Sequence, residues 1–179
     1  AAVAEYAVVN KLFEAVLLLL GVMVFPLWPA YAEAKARNDI AWIERTMLRA
    51  LVLTFLYVSG AGIFLLMSGR WLLEIWVGET IGYSLGLFSA LVVWTILRGL
   101  GLTHSMFLNG LGAIKSQLVV ALLFAASSLV MKWYLASRFG LNGVLLALIS
   151  TYFIFAFVPL AFTTRRILDG LKLQASKSG

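Results

Sequence analysis

Few side chains in this 179-residue chain have chemistry to offer, and several of them stand inside apolar surroundings. Arg98 has 18 uncharged residues before it and 16 after it. Lys11 and Glu14 stand three residues apart in another apolar stretch, a spacing that puts both on one face of a helix. Asn10 sits four residues before Glu14. His104, the single histidine, and Asn109 follow Arg98. Arg98 and Asn109 are eleven residues apart, close to three turns, so they are expected on a shared face. What such a set can do is electrostatic. An arginine grips phosphate or carboxylate through paired hydrogen bonds. Each of these residues also has a plainer role. Lys11 and Glu14 can form a local ion pair near an interface, with Lys11 reaching to water along its stem. Arg98 can serve a water-filled cavity, or lie nearer an interface if its helix tilts. His104 can be a hydrogen-bonded packing residue or a cavity residue.

Catalytic signatures are missing from this sequence. There is no phosphate-binding Gly-x-x-x-x-Gly-Lys-[Ser/Thr] and no His-Glu-x-x-His. The chain has no cysteine, which excludes disulfides, thiol chemistry and zinc–thiolate sites within it. Asp39 and Asp169, its only aspartates, fall in a turn and in the tail. We therefore read the chain as no enzyme, with no cofactor and no metal.

The elements that must position these residues follow from composition. Hydrophobic residues make up 63% of the chain and charged residues 12%, about half the charge of a soluble domain. The fold class expected is an all-α integral membrane protein. A spanning helix needs about 20 mostly apolar residues. Five segments qualify, at about 6–31, 50–68, 81–109, 116–137 and 142–164, forming an antiparallel bundle over residues 1–168 with a basic tail at 169–179. The third is long for one span, and Gly99 and Gly101 are candidate bend sites. Lys132 falls near the end of the fourth. Trp28, Tyr31, Trp42, Trp71, Trp76, Tyr83, Trp133 and Tyr134 cluster at segment ends as an interfacial belt. Trp94 and Tyr152 fall mid-span, where helix packing is the plain reading.

With five spans the connections alternate between two sides. One side collects Lys35, Arg37, Arg45, Arg49, Lys115, Arg165, Arg166, Lys172 and Lys177, and the other Arg70, Lys132 and Arg138. Basic residues concentrate on the cytoplasmic side, so that side, with the C-terminus, is expected inside. The positive charge is thereby read as orientation, with membrane lipids and not nucleic acid as the partner. The chain begins Ala-Ala-Val and reads as a fragment with an odd number of spans missing ahead of it. Pro26 and Pro29 stand at the inside end of the first span, where a proline removes a helix hydrogen bond and bends the chain. They are candidates for a kink or gate. Asn38 or Asp39 is the expected N-cap of the next helix.

Several stretches carry a resemblance. VAEYAVVNKLFEAV followed by PLWPAYAEAKARNDIAWIER, then GRWLLEIWVG, then MFLNGLGAIKSQ continued by RFGLNGVLLALISTY, resemble the bacterial polysaccharide flippase family in their order and spacing. That family belongs to the multidrug/oligosaccharidyl-lipid/polysaccharide exporter superfamily, and the resemblance runs from Val3 to about Arg166. It implies a two-lobed exporter of about twelve or more helices working by alternating access, of which this chain looks like the last five helices. It implies an inner-membrane protein whose cargo is a polyprenyl-pyrophosphate-linked oligosaccharide for O-antigen, capsule or exopolysaccharide synthesis. By the same resemblance Arg98 and Lys11 are the bases that attract the pyrophosphate, and Glu14 is the candidate for coupling to a proton or sodium ion. The rival readings are a multidrug and toxin exporter of the same superfamily, a fragment of a membrane-embedded glycan polymerase or acyltransferase, and a membrane scaffold.

Overall fold

The computed structural model describes the backbone of residues 2–77 and 84–178, and the side chains of residues 6–75 and 84–174. The interfacial roles expected of Trp76 and Tyr83, the start of the span expected at 81–109 and the side chain of Lys177 lie outside the described residues. The described chain is helical throughout its length. It comprises α1 (Ala2–Val24), α2 (Leu27–Ala36), α3 (Ile40–Val77), α4 (Leu85–Gly110), α5 (Ile114–Tyr152), a wide π-turn (Phe153–Phe157) and α6 (Val158–Ser178).

Among the described residues four segments are long and apolar enough to cross a membrane: Tyr6–Ala36, Ile40–Ile75, Leu85–Gly110 and Ile114–Gln174. The fourth has 61 residues, about 90 Å if straight, or three times a hydrocarbon core of about 30 Å. It does not run straight. Gly140 takes φ 56° and ψ −134°, a conformation closed to most side-chain-bearing residues. The chain reverses there, and the Phe124 and Tyr152 rings, 28 positions apart in sequence, meet at 5.3 Å. The described protein is thus an all-α membrane bundle. Its outer surface is apolar, with Leu18, Val22, Leu53, Phe64, Leu122 and Leu129 all more than half exposed. A water-soluble protein does not show such a face.

Some expectations need correcting. Of the two prolines expected to bend the first span, only Pro26 lies at a break. Regular structure stops after Val24 and restarts at Leu27, with Pro26 just before α2 and Pro29 in its first turn. Pro29 there costs no bond, because first-turn N–H groups have no partner inside the helix. The second span is longer than its apolar window, since α3 stays helical through the stretch read as a connection. Leu73 is buried, and Arg70 and Glu74 pair one turn apart at 3.0 Å. Gly99 and Gly101 do not bend α4, which is unbroken. They let neighbours approach: a Cβ on Gly99 would meet Leu20 and Val58 at 3.0 and 3.1 Å, and one on Gly101 would strike the Tyr152 hydroxyl at 2.0 Å. The π-turn precedes Pro159, whose ring would clash with the carbonyl four residues back in a regular α-helix.

Helix α4 is the central element, packed against α1, α2, α3, α5 and α6. Phe88 seats over Gly69 of α3, where a Cβ would come within 2.3 Å of the ring, and Thr54 of α3 shares a 2.8 Å hydrogen bond with Thr103 of α4. Small residues and interhelical hydroxyls of this kind join helices where lipid offers no hydrophobic driving force. At one end the basic turns converge. Asn38 (φ 58°) ends the α2 segment, and Asp39 Oδ1 accepts from Trp42 N at 3.0 Å, so Asp39 rather than Asn38 caps α3. Lys35 Nζ donates to the Leu111 carbonyl at 2.9 Å, and Lys172 pairs with Glu44 at 2.6 Å.

Candidate functional site

A cavity of about 870 Å³ is walled by α1, α4 and the two limbs of α5. Its charged lining comes from three helices: Glu14 on α1, Arg98 on α4 and Lys132 on α5. Arg98 stands at the middle of α4, roughly 20 Å along the helix from either end. It donates from Nη1 to Glu14 Oε1. Their side chains are 34% and 45% exposed, so both reach the open space of the cavity. The guanidinium also lies over the Trp94 ring, 5.7 Å from its centroid, an arrangement that favours a cation. Trp94 in turn meets Tyr152 edge to face at 5.2 Å, and Tyr152 meets Phe124 at 5.3 Å. These three rings form one aromatic wall below the charges. The plain reading of Trp94 and Tyr152 as packing residues is therefore incomplete, because both also line the cavity.

The sequence-derived candidates separate into groups. Arg98 and Glu14 come together from positions 84 apart. Lys11 is exposed on α1 and is not among the lining residues; the ion pair of Glu14 is with Arg98 rather than with Lys11. His104 is buried at 6% exposure, its Nδ1 3.0 Å from Thr164 Oγ1 and its ring edge-on to Phe157. It fastens α4 to α6 and lies outside the cavity lining. Asn109 accepts from Gln117 Nε2 at 2.8 Å across the α4–α5 turn and is not among the lining residues. Pro26 and Pro29 do not line the cavity, but Phe25 beside them does, its ring folded onto Gly21 so that a Cβ there would lie at 3.1 Å.

Lys132 was missed as a cavity residue. A helical-wheel signal was available, since Phe124, Ser128 and Lys132 fall at i, i+4 and i+8 on one face. With two cations and one anion in the lining, the cavity carries a formal charge of +1. A charge in the membrane interior costs at least about 2.5 kcal/mol on insertion scales. An open cavity lined by three such side chains can accommodate a charged or strongly polar guest. Among the described residues no group of three or more histidine, aspartate or glutamate side chains is placed to hold a metal.

Comparison with known proteins gives one kind of kinship. A curated protein of Salmonella typhimurium (strain LT2), named "Putative O-antigen transporter", is 25% identical to this chain over 163 residues. The match covers 90% of this chain and 38% of that protein, so the chain spans well under half the length of the relative. No family model matches the chain, and no solved structure matches it.

Proposed function

We propose that this chain is the C-terminal part of a multi-pass transporter that flips polyprenyl-pyrophosphate-linked glycan across a bacterial inner membrane. The observation that carries this reading is the Arg98–Glu14 pair at mid-helix, open to a wide cavity beside Lys132. The similarity to a protein named for O-antigen transport supports the choice of cargo. An excess of fixed cations over anions suits a pyrophosphate better than the cationic drugs of a multidrug exporter.

In this mechanism the pyrophosphate enters the cavity and competes with Glu14 for Arg98. Lys132 adds a second positive charge, and the Trp94–Tyr152–Phe124 wall faces the first sugars. The polyprenyl tail stays in lipid. Removing water from the pyrophosphate is the costly step, and fixed cations offset it because they are already oriented and in place. The carboxylate of Glu14, once released, is free to take the coupling proton or sodium ion. The end bearing Lys35, Arg37, Arg45 and Lys172 faces the cytoplasm. The break at Pro26 lies at that end of α1, where Phe25 swings as the inner gate. Rocking of this bundle against a second lobe then exposes the cavity alternately to the two sides.

The test uses the full-length gene in its own host. Deletion should leave lipid-linked repeat units on the cytoplasmic leaflet, and re-expression should move them to the outer leaflet. Normal crossing in the deletion strain, with no second flippase present, would end the transport reading.

A further inference from the structure

A second concavity lies on the opposite face of α1. It is a groove of about 260 Å³ between α1, α2 and α3, walled by apolar side chains such as Leu20, Val24, Leu53 and Tyr57, with Thr46 and Arg49 also in its lining. From Thr46 to Tyr57 it follows eleven residues of α3, about 16 Å. The walls are fixed: the Tyr57 hydroxyl donates to the Val16 carbonyl at 3.3 Å, and Leu20 is fully packed. Thr46 and Arg49 are one turn apart, toward the end of α3 that carries the basic turns.

Arg49 differs from the other bases of the α2–α3 turn and from Lys172, which contacts that turn. Lys35 donates to Leu111 O, Arg37 pairs with Glu33, Arg45 donates to Ala41 O and Lys172 pairs with Glu44. Arg49 is exposed, and among the described residues it has no ion pair or hydrogen bond. An unpaired guanidinium at the basic end of an apolar groove is complementary to a molecule with a phosphate head and a hydrocarbon tail. Basic pockets between membrane helices on the positively charged side bind anionic headgroups on the same principle.

We propose that this groove holds one anionic phospholipid of the membrane, with its phosphate on Arg49 and Thr46 and one acyl chain along α3 toward Tyr57. The occupant is a resident lipid and not the transported carrier. Leu17, Leu18 and Gly21 of α1 face the cavity, whereas Leu20 and Val24 of the same helix face the groove. A helix therefore stands between Arg98 and Arg49, and one phosphate cannot serve both. The inference holds whether or not the cavity carries glycan.

The experiment takes the purified full-length protein, stripped of lipid in detergent, and counts bound lipids by native mass spectrometry while phosphatidylglycerol or phosphatidylethanolamine is titrated in. Wild type should retain one phosphatidylglycerol with at least tenfold preference. Arg49→Gln should weaken phosphatidylglycerol binding about tenfold, the loss of one charge-assisted contact. Leu53→Trp, which fills the groove and leaves the charge, should weaken both lipids. Arg45→Gln, at the same end but outside the groove, should bind like wild type. Thermal melting and elution profiles near wild type establish that each variant is folded. Unchanged binding in Arg49→Gln, or equal binding of the two lipids by wild type, overturns the proposal. So does displacement of phosphatidylglycerol by undecaprenyl phosphate in wild type but not in Leu53→Trp, which would assign the groove to the carrier.

Discussion

Replacing Arg98 by alanine tests the cavity most directly, because its effects on stability and on transport should differ widely in size. The ion pair with Glu14 is between two side chains that are 34% and 45% exposed. It is neither a free surface pair, worth about 0–1 kcal/mol, nor a dry one, whose disruption costs about 3–5 kcal/mol. Water in the cavity screens it, so a loss of about 1 kcal/mol is expected, too little to unfold a helix bundle. Transport should respond more strongly. A hydrogen bond to a charged group contributes about 1.5–3 kcal/mol, and each 1.4 kcal/mol is tenfold in affinity. Removal of Arg98 also takes the cavity from a formal +1 to zero, since Glu14 then balances Lys132.

The assay measures export of lipid-linked repeat units at limiting cargo, beside the membrane level and melting temperature of the full-length protein. Arg98→Ala should lower export at least tenfold, with protein level near wild type. Arg98→Lys should fall between, since it keeps the charge and loses the fork. Wild-type export by Arg98→Ala refutes the role of Arg98 in binding cargo. A fall in export that only tracks a fall in protein level assigns Arg98 to structure instead.

Other expectations follow from the same coordinates. A Cβ on Gly143 would lie 2.1 Å from the Leu135 carbonyl oxygen, a backbone atom that cannot swing aside, so Gly143→Ala should open the α5 hairpin and destabilise the full-length protein by about 1–3 kcal/mol, read by thermal unfolding. Pro26→Ala should let α1 run on into α2; if the break is a gate, a cysteine introduced at Ser105 in the cavity should change its labelling rate several-fold with protein level unchanged. A cysteine at the exposed Arg37 should react with an impermeant maleimide only after the cells are opened. Labelling in intact cells would reverse the orientation.

What the sequence made legible is what short-range regularity encodes. Apolar runs identified the helices, and the basic residues from Lys35 to Arg49 and from Arg165 to Lys172 were expected on one side of the membrane. The structure brings them together through Lys35 with Leu111 and Lys172 with Glu44. What escaped depended on partners distant in the chain. Spacing offered Lys11 as the nearest ion-pair partner of Glu14, whereas Arg98, 84 residues on, takes that place. Gly99 and Gly101 have the composition of a bend, and only the positions of Leu20 and Tyr152 identify them as contact points. Helix α3 outran its apolar window because Leu73, past the expected end, is packed in the core. The kink at Pro26 was expected; the unbroken start of α2 around Pro29 was not, because a proline in a first turn breaks nothing.

Helix α1 connects these observations. One of its faces carries Glu14 and Gly21 into the cavity, continued by Phe25 just past its end, and the other carries Leu20 and Val24 into the groove, continued by Leu27 at the start of α2. The break after Val24 falls where both faces end. A movement of the chain at Pro26 cannot be confined to one side, because the residues before and after it belong to both. If Phe25 lifts from Gly21 to widen the cavity, Val24 and Leu27 must shift against α3 by a comparable amount. A lipid seated between α1 and α3 would resist that shift or favour it, according to which form of the groove it fits better. By reciprocity, whatever enters the cavity would alter the grip on the lipid by the same factor. Phosphatidylglycerol affinity measured with and without cargo therefore reads the coupling directly, and equal affinity in the two states would mean that the kink does not link the two sites.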